Sequence, residues 1–334
     1  MKRSWKVTLG VLLVLLLIYF VGPKPKSLAF HAALPSVPND PDSIEQLIHE
    51  QEQEHQVKPG NEACIIWFDS LHEKTEYALV YLHGFSASHE EGNPLHLDIA
   101  RKFGCNLYLP RLADHGIDTT EPLGNFRGDR LWESAQQALA IGQKLGRKVI
   151  LMGTSTGGSL TLQLAAEYDV AGLVLLSPNI EINDLNAWLL NNPWGLQIAR
   201  MVKGSNYNTP ANTTEQYRKF WNGEYRLEAL VQLEEYLEEI MIPETFQKVT
   251  EPTLCLYYYK DEQHQDPVVR VSAIQEMVNA LSTPKDAMVS YAIPTAGNHV
   301  LGSYIVSQDV PAVEREVTHF MHDVLKMPLA SVHY

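Results

Sequence analysis

The chain has 334 residues, 45% of them hydrophobic and only 20% charged, with Gly and Pro near average usage at 20 and 19. That excludes a disordered, collagen-like or coiled-coil chain for most of the length. With 26 Lys and Arg against 40 Asp and Glu, the net charge of −14 excludes nucleic acid as a partner, because phosphate contacts need a basic surface.

Lys2, Arg3 and Lys6 precede an uncharged, mostly apolar run from Val7 to Pro23, followed by Lys24 and Lys26. The run lies at the short end of what spans a bilayer, and it also has the form of a signal-peptide core. No small-x-small cleavage site follows it, so residues 1–23 are expected to be an uncleaved membrane anchor, the alternative being secretion after cleavage. Residues 1–26 hold five basic and no acidic residues, which leaves 21 basic and 40 acidic groups beyond them, a net of −19. The basic start favours a cytoplasmic N-terminus and an extracytoplasmic domain. Residues 24–60, rich in Pro, Gln and Glu, read as a spacer in which Asp42 or Ser43 caps a short helix.

From residue 61 onward, apolar runs alternate with helical patterns. Strands are expected at Ala63–Phe68, Ala78–Leu82, Asn106–Leu109, Lys148–Met152, Ala171–Leu176, Thr253–Tyr259 and Ala287–Ile293. Helices are expected at Leu95–Phe103, Leu131–Leu145, Gly157–Tyr168 and Val310–Lys326. Nearly continuous apolar strands alternating with helices imply a mostly parallel, doubly wound α/β sheet covered on both faces. The alternation stops between Asn179 and Pro243, where Trp188, Trp194 and Trp221 fall; this reads as a helical insertion over one sheet edge. Cys64, Cys105 and Cys255 are too few and scattered for a disulfide framework or a zinc site, and sit among apolar neighbours as small core residues.

Gly153-Thr154-Ser155-Thr156-Gly157 follows a strand and opens a helix. This is the G-x-S-x-G arrangement, in which a turn too sharp for flanking side chains lifts a serine hydroxyl above the sheet. The helix N-terminus beneath it favours developing negative charge. Such a serine needs a histidine to take its proton. Of 13 histidines, His299 follows the last strand in Gly297-Asn298-His299, in the chain order serine, acid, histidine. The orienting acid should follow Thr253–Tyr259, where Asp261 and Asp266 both qualify; Asp266, followed by Pro267-Val268-Val269 and a helix, is preferred. The oxyanion hole needs two backbone N–H groups: that of Thr156, after the nucleophile, and that of Phe85 in His83-Gly84-Phe85. His83 itself, placed before the serine, reads as structural, and Pro110–Gly116 as cleft wall.

Together these motifs resemble the α/β-hydrolase superfamily, specifically its carboxylesterase and monoacylglycerol-lipase-like branch, over about residues 61–327. The resemblance implies an α/β-hydrolase fold at 61–334 with a helical cap at 179–243, and a catalytic triad at Ser155, Asp266 and His299. It also implies oxyanion donors at Phe85 and Thr156. Thr154 and Thr156 depart from the residues many relatives carry beside the serine. The expected activity is hydrolysis of a small or lipid-like carboxylic ester without metal or other cofactor. Amide or peptide hydrolysis on the same scaffold, and a non-catalytic binding module, are the alternatives. No His-Glu-x-x-His run or phosphate loop supports metal or nucleotide chemistry.

Overall fold

In the computed structural model, residues 2–210 and 213–330 are described. Met1, residues 211–212 of the expected insertion and residues 331–334 of the expected domain lie outside the described residues.

Helix α1 (Lys2–Phe20) and helix α2 (Pro41–Gln53) precede the sheet. The strands are β1 (Cys64–Ile66), β2 (Thr75–Leu82), β3 (Asn106–Leu109), β4 (Gly146–Thr154), β5 (Gly172–Leu176), β6 (Thr253–Tyr257) and β7 (Met288–Ala292). They form one sheet in the order β1-β3-β2-β4-β5-β6-β7. β1 pairs antiparallel with β3, and every other pairing is parallel. Helices α3 (Leu95–Phe103), α4 (Gly128–Leu145) and α5 (Thr156–Glu167) provide the crossovers of the first half.

The central strands β2, β4, β5 and β6 are apolar over most of their length because successive residues feed different cores. Ala78, Val80 and Leu82 of β2 join one cluster with Leu131, Trp132 and Leu139 of α4 and Leu160 and Leu164 of α5. Leu79 and Tyr81 turn the other way, onto Leu95, Ile99 and Phe103 of α3. The period-2 alternation is thus present but hidden in the sequence, since both faces are buried. Cys105 and Cys255 are buried and Cys64 is half-buried, all three free; burial raises the thiol of Cys64 to about 11 and that of Cys105 to about 12.

Two expectations for the segment before the sheet are corrected. The segment read as a spacer is part of the fold: Leu28, Val37, Ile44 and Ile48 are buried in the main core. Glu52 of α2 forms a largely buried ion pair with Arg111. The cap of α2 is Asp40, whose side chain accepts from Ser43 N–H at 2.9 Å, with Pro41 opening the helix.

The insertion also departs from its expected form. It contains α6 (Gly195–Lys203), α7 (Glu215–Phe220) and α8 (Leu227–Ile240), together with a small antiparallel pair, Tyr207–Asn208 with Tyr225–Arg226. It leaves from β5 and returns to β6, which are hydrogen-bonded neighbours inside the sheet, so it covers the carboxyl end of the strands and not an edge. Ala229, Leu233, Tyr236 and Leu237 of α8 join the core shared with α4 and α5.

The N-terminal run is helical, and its side chains from Val7 to Phe20 are largely exposed. Among the described residues no helix is long and apolar enough to cross a membrane. The end of α1 touches the insertion, where Trp194 N–H donates to Pro23 O and Trp194 Nε1–H to Ile18 O, both at 2.9 Å. After α9 (Pro243–Phe246), α10 (Val271–Ala280) crosses between β6 and β7. α11 (Val310–His319) closes the described chain and runs into a wider turn at Phe320–Val324.

Candidate active site

Ser155 sits between β4 and α5 with φ +55° and ψ −120°, a backbone conformation that costs a non-glycine residue about 1–3 kcal/mol. The surroundings hold it there. Ser155 N–H donates to Leu176 O of β5, and its carbonyl accepts from Gly158 N–H at 2.8 Å and Asn179 N–H at 3.0 Å. A Cβ on Gly157 would collide with the Leu82 carbonyl oxygen, and one on Gly153 with the Gly157 carbonyl. Both glycines are therefore dictated by the approach of helix to strand. Thr154 is held separately, its hydroxyl accepting from Tyr81 Oη–H at 2.9 Å.

Asp266 is completely buried at the start of the loop leading to α10. Its Oδ1 accepts from Val268 N–H at 2.9 Å and Val269 N–H at 3.1 Å, while Oδ2 accepts from His299 Nδ1–H at 2.7 Å. Asn183 Nδ2–H donates to the Asp266 carbonyl, so the start of the insertion also pins this loop. Burial opposes the charge on Asp266, but His299 and the two backbone donors outweigh it and hold the carboxyl below its ordinary value. Burial likewise opposes an imidazolium at His299, yet Asp266, with a smaller contribution from Glu91, raises its pKa. With Nδ1 committed to Asp266, the free nitrogen of the ring is Nε2.

His299 lies after β7 in a loop turned by Gly297 at φ +61° and by Asn298, whose side chain accepts from Val300 N–H. The buried Val300 and Leu301 anchor it. Ser155 and His299 are each 7% exposed. Asp261, the other candidate acid, lies on an exposed two-stranded turn and bonds His264 at 2.7 Å, away from His299.

The loop after β2 lies against the serine: a Cβ on Gly84 would stand 3.1 Å from Ser155 Cβ. Phe85 N–H and Thr156 N–H find no protein acceptor among the described residues. His83 bridges two loops, its Nε2 accepting from Leu112 N–H and Nδ1 meeting Gly84 O. Burial first, then His115, holds its pKa well below the ordinary value, so it stays neutral and structural. The Pro110–Gly116 turn packs behind the loop, with His115 edge-on to Phe85 at 5.9 Å. Phe126 and Tyr225 complete this aromatic support.

Sequence reasoning missed Glu91. In the short turn His89–Gly92 it is 2% exposed, accepting from Gly84 N–H at 2.5 Å and, at longer range, from Tyr81 Oη–H and Trp221 Nε1–H. Burial raises its carboxyl to about 7 despite those donors and His299. The run Ser88-His89-Glu90-Glu91-Gly92 has the composition of a solvated turn; the only local signal is its nearness to Gly84. Among the described residues no group of His, Cys, Asp or Glu is arranged to hold a metal ion.

A mostly parallel sheet carrying a strained serine after its fourth strand, an aspartate after the sixth and a histidine after the seventh defines an α/β-hydrolase fold. The chain belongs to the alpha/beta hydrolase family, whose profile matches residues 79–327. No curated protein sequence matches the chain. Among solved structures it is similar to one described under LipS and LipT, two metagenome-derived lipolytic enzymes, at 16% identity and a TM-score of 0.62, over 80% of this chain and 100% of that one. It is also similar to Est1E from Butyrivibrio proteoclasticus with ferulic acid bound, at 17% identity and a TM-score of 0.51, over 81% and 99% of the two chains. A third is a lipase-esterase related protein from Clostridium acetobutylicum, at 13% identity and a TM-score of 0.52, over 77% and 98%. At such identities the likeness is one of fold.

Proposed function

We propose that the protein is a serine hydrolase of carboxylic esters that works through an acyl-enzyme. The observation carrying this reading is the Asp266–His299 pair at 2.7 Å, at the end of the sheet where Ser155 stands beside two unpaired backbone donors. His299 Nε2 takes the hydroxyl proton as Ser155 Oγ attacks the acyl carbon. Asp266 keeps the Nδ1–H tautomer and stabilises the imidazolium. Phe85 and Thr156 N–H groups hold the tetrahedral oxyanion, aided by the N-terminus of α5. His299 then protonates the leaving alcohol, and water repeats the sequence on the acyl-enzyme. The lipolytic and esterase descriptions of the structural neighbours support an ester over an amide. The test is Ser155→Ala on a series of p-nitrophenyl esters: turnover is expected to vanish, and undiminished turnover would refute the assignment.

The same reading attaches the enzyme to a membrane through α1, with the hydrolase domain outside the cytoplasm. Its support is the exposed leucine-rich surface of α1 between basic flanks, an apolar patch that water does not stabilise. Fractionation of the full chain checks this, with removal of residues 1–26 expected to release the protein from membranes.

A further inference from the structure

Glu91 occupies a junction that the triad chemistry leaves unexplained. Its Oε2 accepts from Gly84 N–H, and Gly84 is wedged so tightly that a Cβ there would stand 2.9 Å from Glu91 Oε1 and 3.1 Å from Ser155 Cβ. Phe85, the next residue, carries the unpaired N–H assigned to the oxyanion. Trp221, at the end of α7 and 3% exposed, closes over the carboxylate from the insertion, its Nε1–H directed at Oε1 at 3.4 Å. Asn222 N–H, next in the chain, donates to Ser86 O at 2.8 Å, so insertion and oxyanion loop are clamped on both sides of Glu91. The titratable groups that face the carboxylate are Tyr81 from β2, Tyr217 from α7 and His299 from the loop before α11. Only His299 among these becomes positive in the working range of an esterase.

Resting on the serine-hydrolase reading above, we propose that Glu91 is a positioning residue. It fixes the oxyanion loop through Gly84 N–H, and its charge stabilises the imidazolium that forms on His299 during acyl transfer. The two roles are separable because one needs only an acceptor oxygen and the other needs an ionised group. Burial keeps that group near the midpoint of its titration around neutrality, so its influence on His299 changes across the pH range where the enzyme would act.

Glu91→Gln keeps an oxygen for Gly84 N–H and removes the charge. The expected result on a p-nitrophenyl ester is a kcat about tenfold lower with KM within about twofold, and an acid limb of kcat/KM moved to lower pH by about half a unit or more. Glu91→Ala removes the acceptor as well, and a loss of about 100-fold is expected, the scale of a disturbed oxyanion donor. Trp221→Phe leaves the carboxyl in place but withdraws a donor that favours its ionised form, so the limb moves the same way by less. A limb unmoved in Glu91→Gln, or in Trp221→Phe should the glutamine variant not fold, overturns the proposal. A wild-type protein that neither turns over esters nor reacts with a fluorophosphonate refutes the hydrolase reading, and this assignment falls with it.

Discussion

Asp266 and Asp261 lie five residues apart and fall into opposite environments. Asp266 is fully buried with three donors; Asp261 serves an exposed turn with His264. Asp266→Asn would leave His299 with the wrong tautomer, and kcat is expected to fall about 10⁴-fold. Asp261→Asn is expected to stay within about twofold of the wild type in the same p-nitrophenyl assay. Glu91 makes a separate prediction about stability. Its carboxyl rises from an ordinary 4.5 to about 7 on folding, so the folded state binds the extra proton. Stability from this group is full below about 4.5 and declines as pH rises through 7, by about 3 kcal/mol for the whole shift. Urea unfolding is expected to show the wild type losing that much relative to Glu91→Gln between pH 4.5 and 8; a pH-independent difference would contradict the shift.

Helix α2 decides whether the polar N-terminal stretch belongs to the domain. Ile44 is 1% exposed and Ile48 is 6% exposed in the main core, so Ile44→Ala is expected to destabilise the fold by about 2–5 kcal/mol in urea. A tethering segment free in solvent would show no change. This helix was hard to read because only Ile44, Leu47 and Ile48 in a Glu- and Gln-rich tract meet the core, too few to stand out before the partner surface is known. The elbow and the histidine loop were legible for the opposite reason: their glycines answer local steric demands, and their places follow from strand order. The acid was ambiguous because a small turn at Tyr259–Gln265 continues the strand-like pattern of β6 and leaves two aspartates near its end. Glu91 and the buried side of the insertion were hidden because their surroundings arise only from distant segments meeting.

The whole molecule combines an acidic domain with a basic, apolar N-terminal helix. Their contact runs through Trp194, whose ring and backbone bond the end of α1, while Trp221 on the same insertion closes over Glu91. Three tryptophans that look alike in sequence thus have separate tasks, since Trp188 stays half exposed on the insertion's surface. The parallel order of six strands places the loops after β2, β4, β6 and β7 at one end, which is what gathers residues 85, 155, 266 and 299. The chemistry proposed for that end rests on the alkoxide-forming capacity of Ser155. Labelling the full chain with a fluorophosphonate and locating the adduct by mass spectrometry tests this most directly. A single adduct on Ser155 is expected, absent in Ser155→Ala and strongly slowed in His299→Ala. An unlabelled protein, or labelling that persists in Ser155→Ala, would contradict it.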